Sequence, residues 1–182
     1  MKKVVLSLVA VFMLFAVSAQ AQVVKLSLWG DICVPNEDYT GGLEIGIGSE
    51  TQAVDGVQFG IIYSKAGKLQ GVQLGLVNNT DEGIGVQWGL LNLAKEFTGV
   101  ELGFVNIADT MKGIQWGAVN WTKGDFTGAQ LGFVNYADNV TGIQFGFVNW
   151  ANTMKGVQLG LVNVIKNNTM FLPVFVIFNF CF

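Results

Sequence analysis

The chain alternates apolar residues with small or polar ones in a pattern that repeats nine times. Each copy reads G-φ-Q-φ-G-φ-φ-N-φ-x-x-x-φ-x, where φ is apolar, as in GIQFGFVNWANTMK at residues 142–155. The copies occupy residues 42–169, which are 128 of the 182 residues, and they begin every 14 or 15 residues. Self-similarity at a fixed period is typical of repeat architectures. The leading glycines are Gly42, Gly56, Gly71, Gly85, Gly99, Gly113, Gly128, Gly142 and Gly156.

Within a copy, the alternation has the period of a β-strand. Positions 2, 4 and 6 are apolar, whereas positions 1, 3 and 5 are Gly, Gln and Gly. A helix is excluded because each interior glycine would cost about 1 kcal/mol. Position 8 is Asn in seven of nine copies, with Ser49 and Tyr63 as exceptions. Turn-forming residues gather at positions 10–12, where the two longer copies are predicted to carry their extra residue, at residues 65–68 and 123–125. Each copy is therefore predicted to form one strand and one tight turn.

The favoured fold is all-β, an antiparallel up-and-down meander that closes into a small outer-membrane-type β-barrel of 10 or 12 strands. With a three-residue loop at positions 10–12, every strand keeps positions 2, 4 and 6 on one face, and Gln130 lies opposite Gly117. Polar residues at positions 14 and 8 bracket an apolar band of about 20 Å. The alternating aromatic residues at 171–182 are similar to the closing strand of bacterial outer-membrane barrels.

A β-solenoid of 14-residue coils is the alternative fold. Parallel stacking also keeps every position in register, and it places Gln on Gln and Asn on Asn so that the amides satisfy one another. The barrel is preferred because a coil this short would leave several apolar residues in water, including Trp121, Tyr136 or Trp150. The strand count argues against the barrel, since nine repeats with a first and a last strand make eleven, and single-chain bacterial barrels are even-numbered.

The first 21 residues have the layout of a signal peptide. Two lysines precede an apolar run at residues 4–17, and Ala-Gln-Ala follows as a small-x-small cleavage site. We therefore predict a chain that is exported to the bacterial outer membrane or cell surface. The predicted divisions are a signal peptide (1–21) and a single β-repeat domain (22–182), made of a lead-in strand and loop (22–41), nine repeats (42–169) and a closing aromatic strand (170–182).

Composition narrows the range of functions. The predicted mature chain keeps 8 of the 10 lysines and all 13 acids, a net charge of −5, and the sequence contains neither Arg nor His. Nucleic-acid and phosphate binding are not expected, because both rely on basic patches and guanidinium contacts. Without His, and with Cys33 and Cys181 near opposite ends, the usual metal clusters and His-based nucleophiles are missing. We predict no enzyme activity, catalytic residue, metal or cofactor, and leave open whether the two cysteines pair.

Three groups of residues are candidates for chemistry. Acids at the predicted turns favour solvated loop charges over a weak calcium site, because they lack the spacing of calcium loops. Glu44 and Glu101 replace Gln at position 3. They are either partly buried acids with a raised pKa or a Lys partner, or Glu residues at a wet edge, which is the favoured interpretation. Trp121, Tyr136 and Trp150, at position 9, are sugar- or lipid-contacting residues or, preferably, packing and interfacial anchors. The turn acids are Asp81, Glu82, Glu96, Asp109, Asp125 and Asp138.

The tandem repeats, the opening LSLWGDICVPN and the closing FLPVFVIFNFCF resemble the short surface-repeat family first noted in leptospiral exported proteins. The copies that begin at Gly42 and Gly99 depart from the pattern. The resemblance implies an envelope or surface location and no known activity. We therefore expect an exported cell-envelope or outer-membrane protein with a structural or interaction role. The alternative is a peripheral β-solenoid binding module or adhesin with a repeated flat face. Expected partners are outer-membrane lipid, the barrel-assembly machinery and an unidentified surface ligand, with no nucleic acid.

Overall fold

Nine β-strands make up most of the described chain. The computed structural model describes residues 23–30 and 32–182, so the predicted signal peptide lies outside the described residues. In chain order the strands are β1 (Val23–Trp29), β2 (Ile32–Val34), β3 (Tyr39–Trp88), β4 (Leu91–Leu102), β5 (Val105–Trp116), β6 (Val119–Leu131), β7 (Val134–Phe145), β8 (Val148–Ile165) and β9 (Val174–Cys181). They form one sheet in the order β2-β1-β3-β4-β5-β6-β7-β8-β9. The prediction of an all-β chain is confirmed.

Strands β3 to β8 pair in parallel, and each pairing joins equal positions of consecutive repeats. Between β4 and β5, for example, Gly99 pairs with Gly113 and Glu101 with Gln115. The long strand β3 contains several repeats and meets β4 in the same register, with Gln87 beside Glu101. The chain is therefore a β-solenoid, and the predicted antiparallel β-barrel is wrong.

The polar interior explains why parallel stacking is preferred. Gln130, predicted to face Gly117, lies instead between Gln115 and Gln144. Its Nε2 donates to Gln115 Oε1 at 2.8 Å, and its own Oε1 accepts a hydrogen bond from Gln144 at 2.7 Å. A meander would set each amide against a glycine, and a buried amide group without a partner costs about 1–3 kcal/mol. Parallel register satisfies amides that hairpins would leave unpaired.

The chain bends at glycine and not at the predicted turns. Strands β4 to β7 end at position 4 and the next strand begins at position 7, so the bend occupies positions 5 and 6, as at residues 103–104. Positions 10–12 run inside the strands, as residues 108–110 do in β5, and the predicted hairpin turns are wrong. The glycine at position 1 is also required, because Gly113 has a φ of 135° and an added Cβ would lie 1.9 Å from Gly99 O.

The two longer copies accommodate their extra residue at different places. In one, the register between β6 and β7 shifts between Thr122 and Asp125, as predicted. In the copy that begins at Gly56, Ser64 and not Tyr63 fills the buried position 8. The extra residue of that copy therefore lies between Gly60 and Ser64, and its predicted place at residues 65–68 is wrong.

Positions 3, 8, 10 and 13 of each coil point inward and form the core. Positions 3 and 8 supply mostly buried amides, with Glu44 and Glu101 at position 3 and Ser49 and Ser64 at position 8, and position 10 supplies small Ala or Thr side chains except for Ile165 in the last copy. Positions 2, 4 and 6 point outward and the Gln residues of position 3 point into the interior, so the predicted separation of the bulky residues from the Gln residues holds, whereas the glycines of position 5 lie at the bends. Position 13 provides the apolar column, which is Val54, Leu69, Phe97, Met111, Phe126, Val140 and Met154.

Antiparallel strands end the stack on both sides. At the first end β2 pairs with β1, and at the last end β9 pairs antiparallel with β8. The predicted closing aromatic strand therefore caps a solenoid. In β9, Asn179 lies over Gln158 and is fully buried, so it extends the row of core amides. Cys33 is in β2 and Cys181 in β9, and the parallel coils separate the two thiols.

Candidate functional site

One edge of the solenoid is apolar along its whole length. The outward positions next to the bend, which are positions 2, 4, 5, 6 and 7, carry apolar residues or glycine, apart from Tyr63, which takes position 7 in the copy that begins at Gly56. We call this surface the apolar edge. Its large side chains are exposed, with exposed fractions of 64% for Trp88, 65% for Phe104 and 64% for Leu161. Nine coils stacked about 4.8 Å apart give the edge a length of roughly 38 Å, which is more apolar surface than monomeric soluble proteins usually expose.

A groove follows the crest of the apolar edge, which is the line of bends at positions 5 and 6 of successive coils. The position 5 glycines form its floor, and an added Cβ on Gly146 would lie 2.3 Å from Gly132 O. The groove has a volume of about 1210 Å³, and Ile177 of β9 lines it at the end of the stack. Its walls are the side chains of position 4 (Trp88, Leu102, Trp116, Leu131, Phe145, Leu159) and of position 6 (Leu90, Phe104, Ala118, Phe133, Phe147, Leu161). The groove therefore offers apolar contact and shape, and no titratable side chain.

The backbone N–H groups at the bends are hydrogen-bonded between coils. Gly103 N donates to Trp116 O and Phe104 N donates to Leu90 O, both at 3.0 Å. From inside, the Asn at position 8 donates to the carbonyl of position 4, as Asn92 Nδ2 does to Leu102 O at 2.9 Å. The crest thus turns apolar side chains outward while the N–H groups of its bends are bonded to neighbouring coils.

Aromatic residues with polar tips border the apolar edge on one face. Tyr136 OH donates to Asp138 Oδ1 at 2.7 Å, and Trp150 Nε1 donates to Asn152 Oδ1 at 3.4 Å. The hydrogen bond to Asp138 is the main reason that the pKa of the Tyr136 hydroxyl is raised. Trp121 and Tyr136 stack with ring centroids 4.2 Å apart. Because these two rings cover each other's faces, the row supports the interfacial-anchor interpretation better than sugar stacking.

Beyond these borders the outward positions are mostly polar. Asp81 pairs with Lys95 and Asp109 with Lys123, each at 2.7 Å across neighbouring coils. In residues 23–30 and 32–182 no group of three His, Cys, Asp or Glu residues is placed to hold a metal ion. Of the other predicted turn acids, Glu82 lies 3.7 Å from Lys68, Asp125 and Asp138 accept hydrogen bonds from Asn139 and Asn152, and Glu96 is exposed. On the second face the border row at position 14 is Thr98, Lys112, Thr127, Thr141 and Lys155 from β4 onward, and the exposed Ile84 precedes them in the same row.

Two amide ladders run through the core in opposite directions. In the Gln ladder each Nε2 donates to the Oε1 of the preceding coil, as Gln144 does to Gln130 at 2.7 Å. In the Asn ladder each Nδ2 donates to the Oδ1 of the following coil, as Asn106 does to Asn120 at 2.8 Å. The two rows of amide dipoles oppose each other, and together they fix the register of the coils.

Glu44 is a fully buried rung near the first end of the Gln ladder. It lies 3.7 Å from Lys25 Nζ, which is buried as well. The carboxylate accepts hydrogen bonds from Ser27 Oγ at 2.8 Å, Thr51 Oγ1 at 2.7 Å and Gln58 Nε2 at 3.2 Å. The wet-edge interpretation is wrong for this residue, and the alternative prediction of a Lys partner is correct.

Glu101 is a second buried rung, and among residues 23–30 and 32–182 no Lys pairs with it. Its Oε2 accepts a hydrogen bond from Gln115 Nε2 at 2.7 Å. Its Oε1 has no partner, and neither has the Oε1 of Gln87, its register partner. Burial raises the pKa of Glu101 to about 8, and the bond from Gln115 opposes this only in part. A protonated Glu101 carries the O–H donor that this rung of the ladder lacks, so the neutral acid stands in for Gln.

Sequence reasoning found the apolar positions but missed the groove and Lys25. The groove needs the position 5 glycines in line, which only parallel stacking provides. Lys25 precedes the repeats, and nothing in their pattern connects it to Glu44.

In the described residues no helix is long and apolar enough to cross a membrane. The chain was compared with protein-family models, curated proteins and solved structures, and none matched it. Its resemblance to the surface-repeat family therefore stays a prediction.

Proposed function

We propose that this chain is a non-catalytic β-solenoid attachment module of the bacterial cell envelope, held to its partner by the apolar edge. The observation that carries the proposal is the composition of that edge, where five outward positions in each of nine copies hold apolar residues or glycine, with Tyr63 as the exception. A surface of this size normally marks an interaction site. The signal-peptide pattern supports export, and the solenoid replaces the barrel as the scaffold.

The chemistry of the groove supports binding over catalysis. Its lining residues are apolar or glycine, so it supplies no general acid, base, nucleophile or charged group for orienting a substrate. The carboxyl of Glu101 is fully buried in the core, out of reach of a molecule in the groove. The side chains that could react are used to hold the coils together.

The repetition of the coils suits an attachment role. Each coil adds one similar set of apolar side chains to the edge, so the contact grows with coil number while the sheet keeps the sets in line. Many weak contacts on one rigid scaffold bind far more tightly than any single one.

Fractionation of a Gram-negative host that expresses the full chain tests the proposal. The wild type should sediment with envelopes. An edge variant in which Phe104, Trp116, Phe133 and Phe145 become Ser should be released into the soluble fraction. All four side chains are exposed, so the variant should keep its β-type circular dichroism. A control with Ser at four polar-surface positions should stay bound. Equal sedimentation of the folded edge variant and the wild type would contradict the proposal. The control positions are Asp109, Thr110, Lys123 and Asn139.

A further inference from the structure

We infer that the partner of the apolar edge is a lipid bilayer, on which the solenoid lies as a monotopic wedge with its crest in the hydrocarbon of one leaflet. The solenoid axis then runs parallel to the membrane plane. This inference rests on the proposed function, because it names the partner of the same surface. Four features of the edge favour lipid over a protein partner, and they are hydrogen bonding, shape, the depth of the borders and charge.

The apolar edge has few hydrogen-bonding side chains to offer a protein, namely the indole N–H groups of Trp88 and Trp116 and the hydroxyl of Tyr63. Protein interfaces carry about one hydrogen bond per 100–200 Å² and a polar rim, whereas the outward positions of this edge are apolar for roughly 38 Å. At the bends, the amide groups of Gly103 and Phe104 are already bonded to Trp116 O and Leu90 O. Polar backbone groups must be satisfied internally wherever a chain contacts hydrocarbon, and the amide N–H groups of these bends meet that condition.

The shape of the edge fits a fluid better than a rigid partner. Apolar side chains continue from the groove onto both faces of the solenoid. On one side Ile114 and Ile143 are 41% and 48% exposed, and on the other Val134 and Val148 are each 37% exposed. A second copy that filled the groove would leave these flanks in water. Acyl chains surround a wedge and cover the groove and both flanks together.

The borders of the edge lie at the depth of one leaflet. From the position 5 glycine to the row of Trp121, Tyr136 and Trp150 is four residues, or about 13 Å at 3.3 Å per residue. On the other face, position 14 is five residues from the glycine, or about 16 Å. Half of a hydrocarbon core about 30 Å thick is about 15 Å. Trp and Tyr collect at the membrane–water interface, and the stems of Lys112 and Lys155 can lie along the apolar surface while their ammonium groups reach water.

Charge predicts how the protein should bind. The apolar edge carries no charge, and the chain as a whole is acidic, with a net charge of −3. Attraction to anionic head groups requires clusters of Lys or Arg, which the edge lacks. Binding should therefore occur on zwitterionic lipid and should persist at high salt.

Flotation of the purified full chain with phosphatidylcholine vesicles tests the inference. We expect flotation in both 0.1 M and 1 M NaCl (about 10 Å and 3 Å Debye lengths). The edge variant with Ser at Phe104, Trp116, Phe133 and Phe145 should partition at least roughly 100-fold less, because four large apolar side chains no longer leave water. The polar-surface control variant should float like the wild type.

Depth-dependent quenching by brominated lipids tests the orientation within one coil. Trp116, at the crest, and Trp121, at the border, belong to the same repeat. In chains that keep only one of these two tryptophans, with Phe at the other tryptophan positions, bromine deep in the acyl chains should quench Trp116 more strongly. Bromine close to the head groups should quench Trp121 more strongly.

Three results would overturn the inference: no flotation of the folded wild type, release by 1 M NaCl, or equal quenching of both tryptophans by shallow bromine alone. Absence of flotation together with edge-dependent cross-linking between copies would identify a second copy as the partner. If envelope association needs the apolar edge although vesicles do not bind, the partner is a protein and the proposed function stands. If envelope association does not need the edge, the proposed function itself fails.

Discussion

Glu101 gives the core of the solenoid a pH dependence that the substitution Glu101→Gln isolates. The pKa of Glu101 is about 8 in the folded chain, against an ordinary value of 4.5. Between these values the folded chain holds a proton that the unfolded chain releases. The stability contribution of the neutral acid is therefore complete below pH 4.5, decreases as the pH rises, and is lost above about pH 8. Each pH unit in that window lowers the free energy of unfolding by about 1.4 kcal/mol, so the total loss is at most roughly 5 kcal/mol.

The amide of the Glu101→Gln variant needs no proton to complete the ladder. Its Nε2 can donate to Gln87 Oε1, which has no partner in the wild type. Its Oε1 can accept from Gln115, as the carboxylate oxygen does at 2.7 Å. We expect the variant and the wild type to be equally stable near pH 4.5. The variant should gain about 1.4 kcal/mol per pH unit above that, up to roughly 5 kcal/mol by pH 9.

Urea unfolding at several pH values measures this difference. The fluorescence of Trp88 and Trp116, one coil before and one coil after Glu101, reports locally, and circular dichroism reports on the whole sheet. Subtracting the wild-type curve from the variant curve cancels the acids that the two chains share. Glu96→Gln, at an exposed site, removes the same charge from the surface as a control. A stability difference that does not change between pH 5 and pH 9, or a less stable Glu101→Gln variant at pH 9, would refute the ladder argument.

Three further predictions address the scaffold. Gly113→Ala should destabilise the sheet by about 2–4 kcal/mol in urea unfolding, because its φ is 135° and its Cβ would meet a carbonyl at 1.9 Å. The control Gly124→Ala, whose Cβ would meet its nearest atom at 3.1 Å, should cost about 1 kcal/mol or less. Asn120→Leu should cost about 2–4 kcal/mol by the same assay, because it breaks buried bonds to two neighbouring amides. Deleting residues 142–155, one whole coil, should leave a folded chain by circular dichroism, whereas deleting residues 142–148 should not.

The local structure of the repeat follows from its sequence, but its direction of stacking does not. Alternation shows that Gln130 and its equivalents share a face opposite positions 2, 4 and 6, and this face is the interior. Parallel and antiparallel pairing both preserve that alternation, so periodicity cannot separate them. The hydrogen bonds of Gln130 with Gln115 and Gln144 decide the question, since a buried amide opposite a glycine has no such partner.

The bends were misplaced because turn propensity and glycine geometry compete. Residues such as Asp109 and Thr110 favour turns, yet they lie inside β5, where Asp109 pairs with Lys123 of the next coil. From sequence alone, glycine at position 5 is equally compatible with a strand and with a bend. In the solenoid the chain bends there, and only glycine fits because an added side chain would collide with the carbonyl of the coil before it.

The width of the apolar band links the sequence prediction to the proposed membrane contact. Between the polar residues at positions 14 and 8, the sequence predicts a band of about 20 Å, which is narrower than a hydrocarbon core of about 30 Å. In the solenoid the band does not lie flat, because the bend at positions 5 and 6 folds it over a crest, and the Asn at position 8 turns into the core. Its outer borders become position 14 on one face and position 9 on the other, and the width of about 20 Å included a barrel strand tilt of about 40° that does not apply here, so each border lies about 13–16 Å from the crest. The flat band is too narrow to span both leaflets of a bilayer. Folded over the crest, it has the depth of one leaflet. The outward stripe that favoured lipid contact in a barrel favours it more strongly in a solenoid.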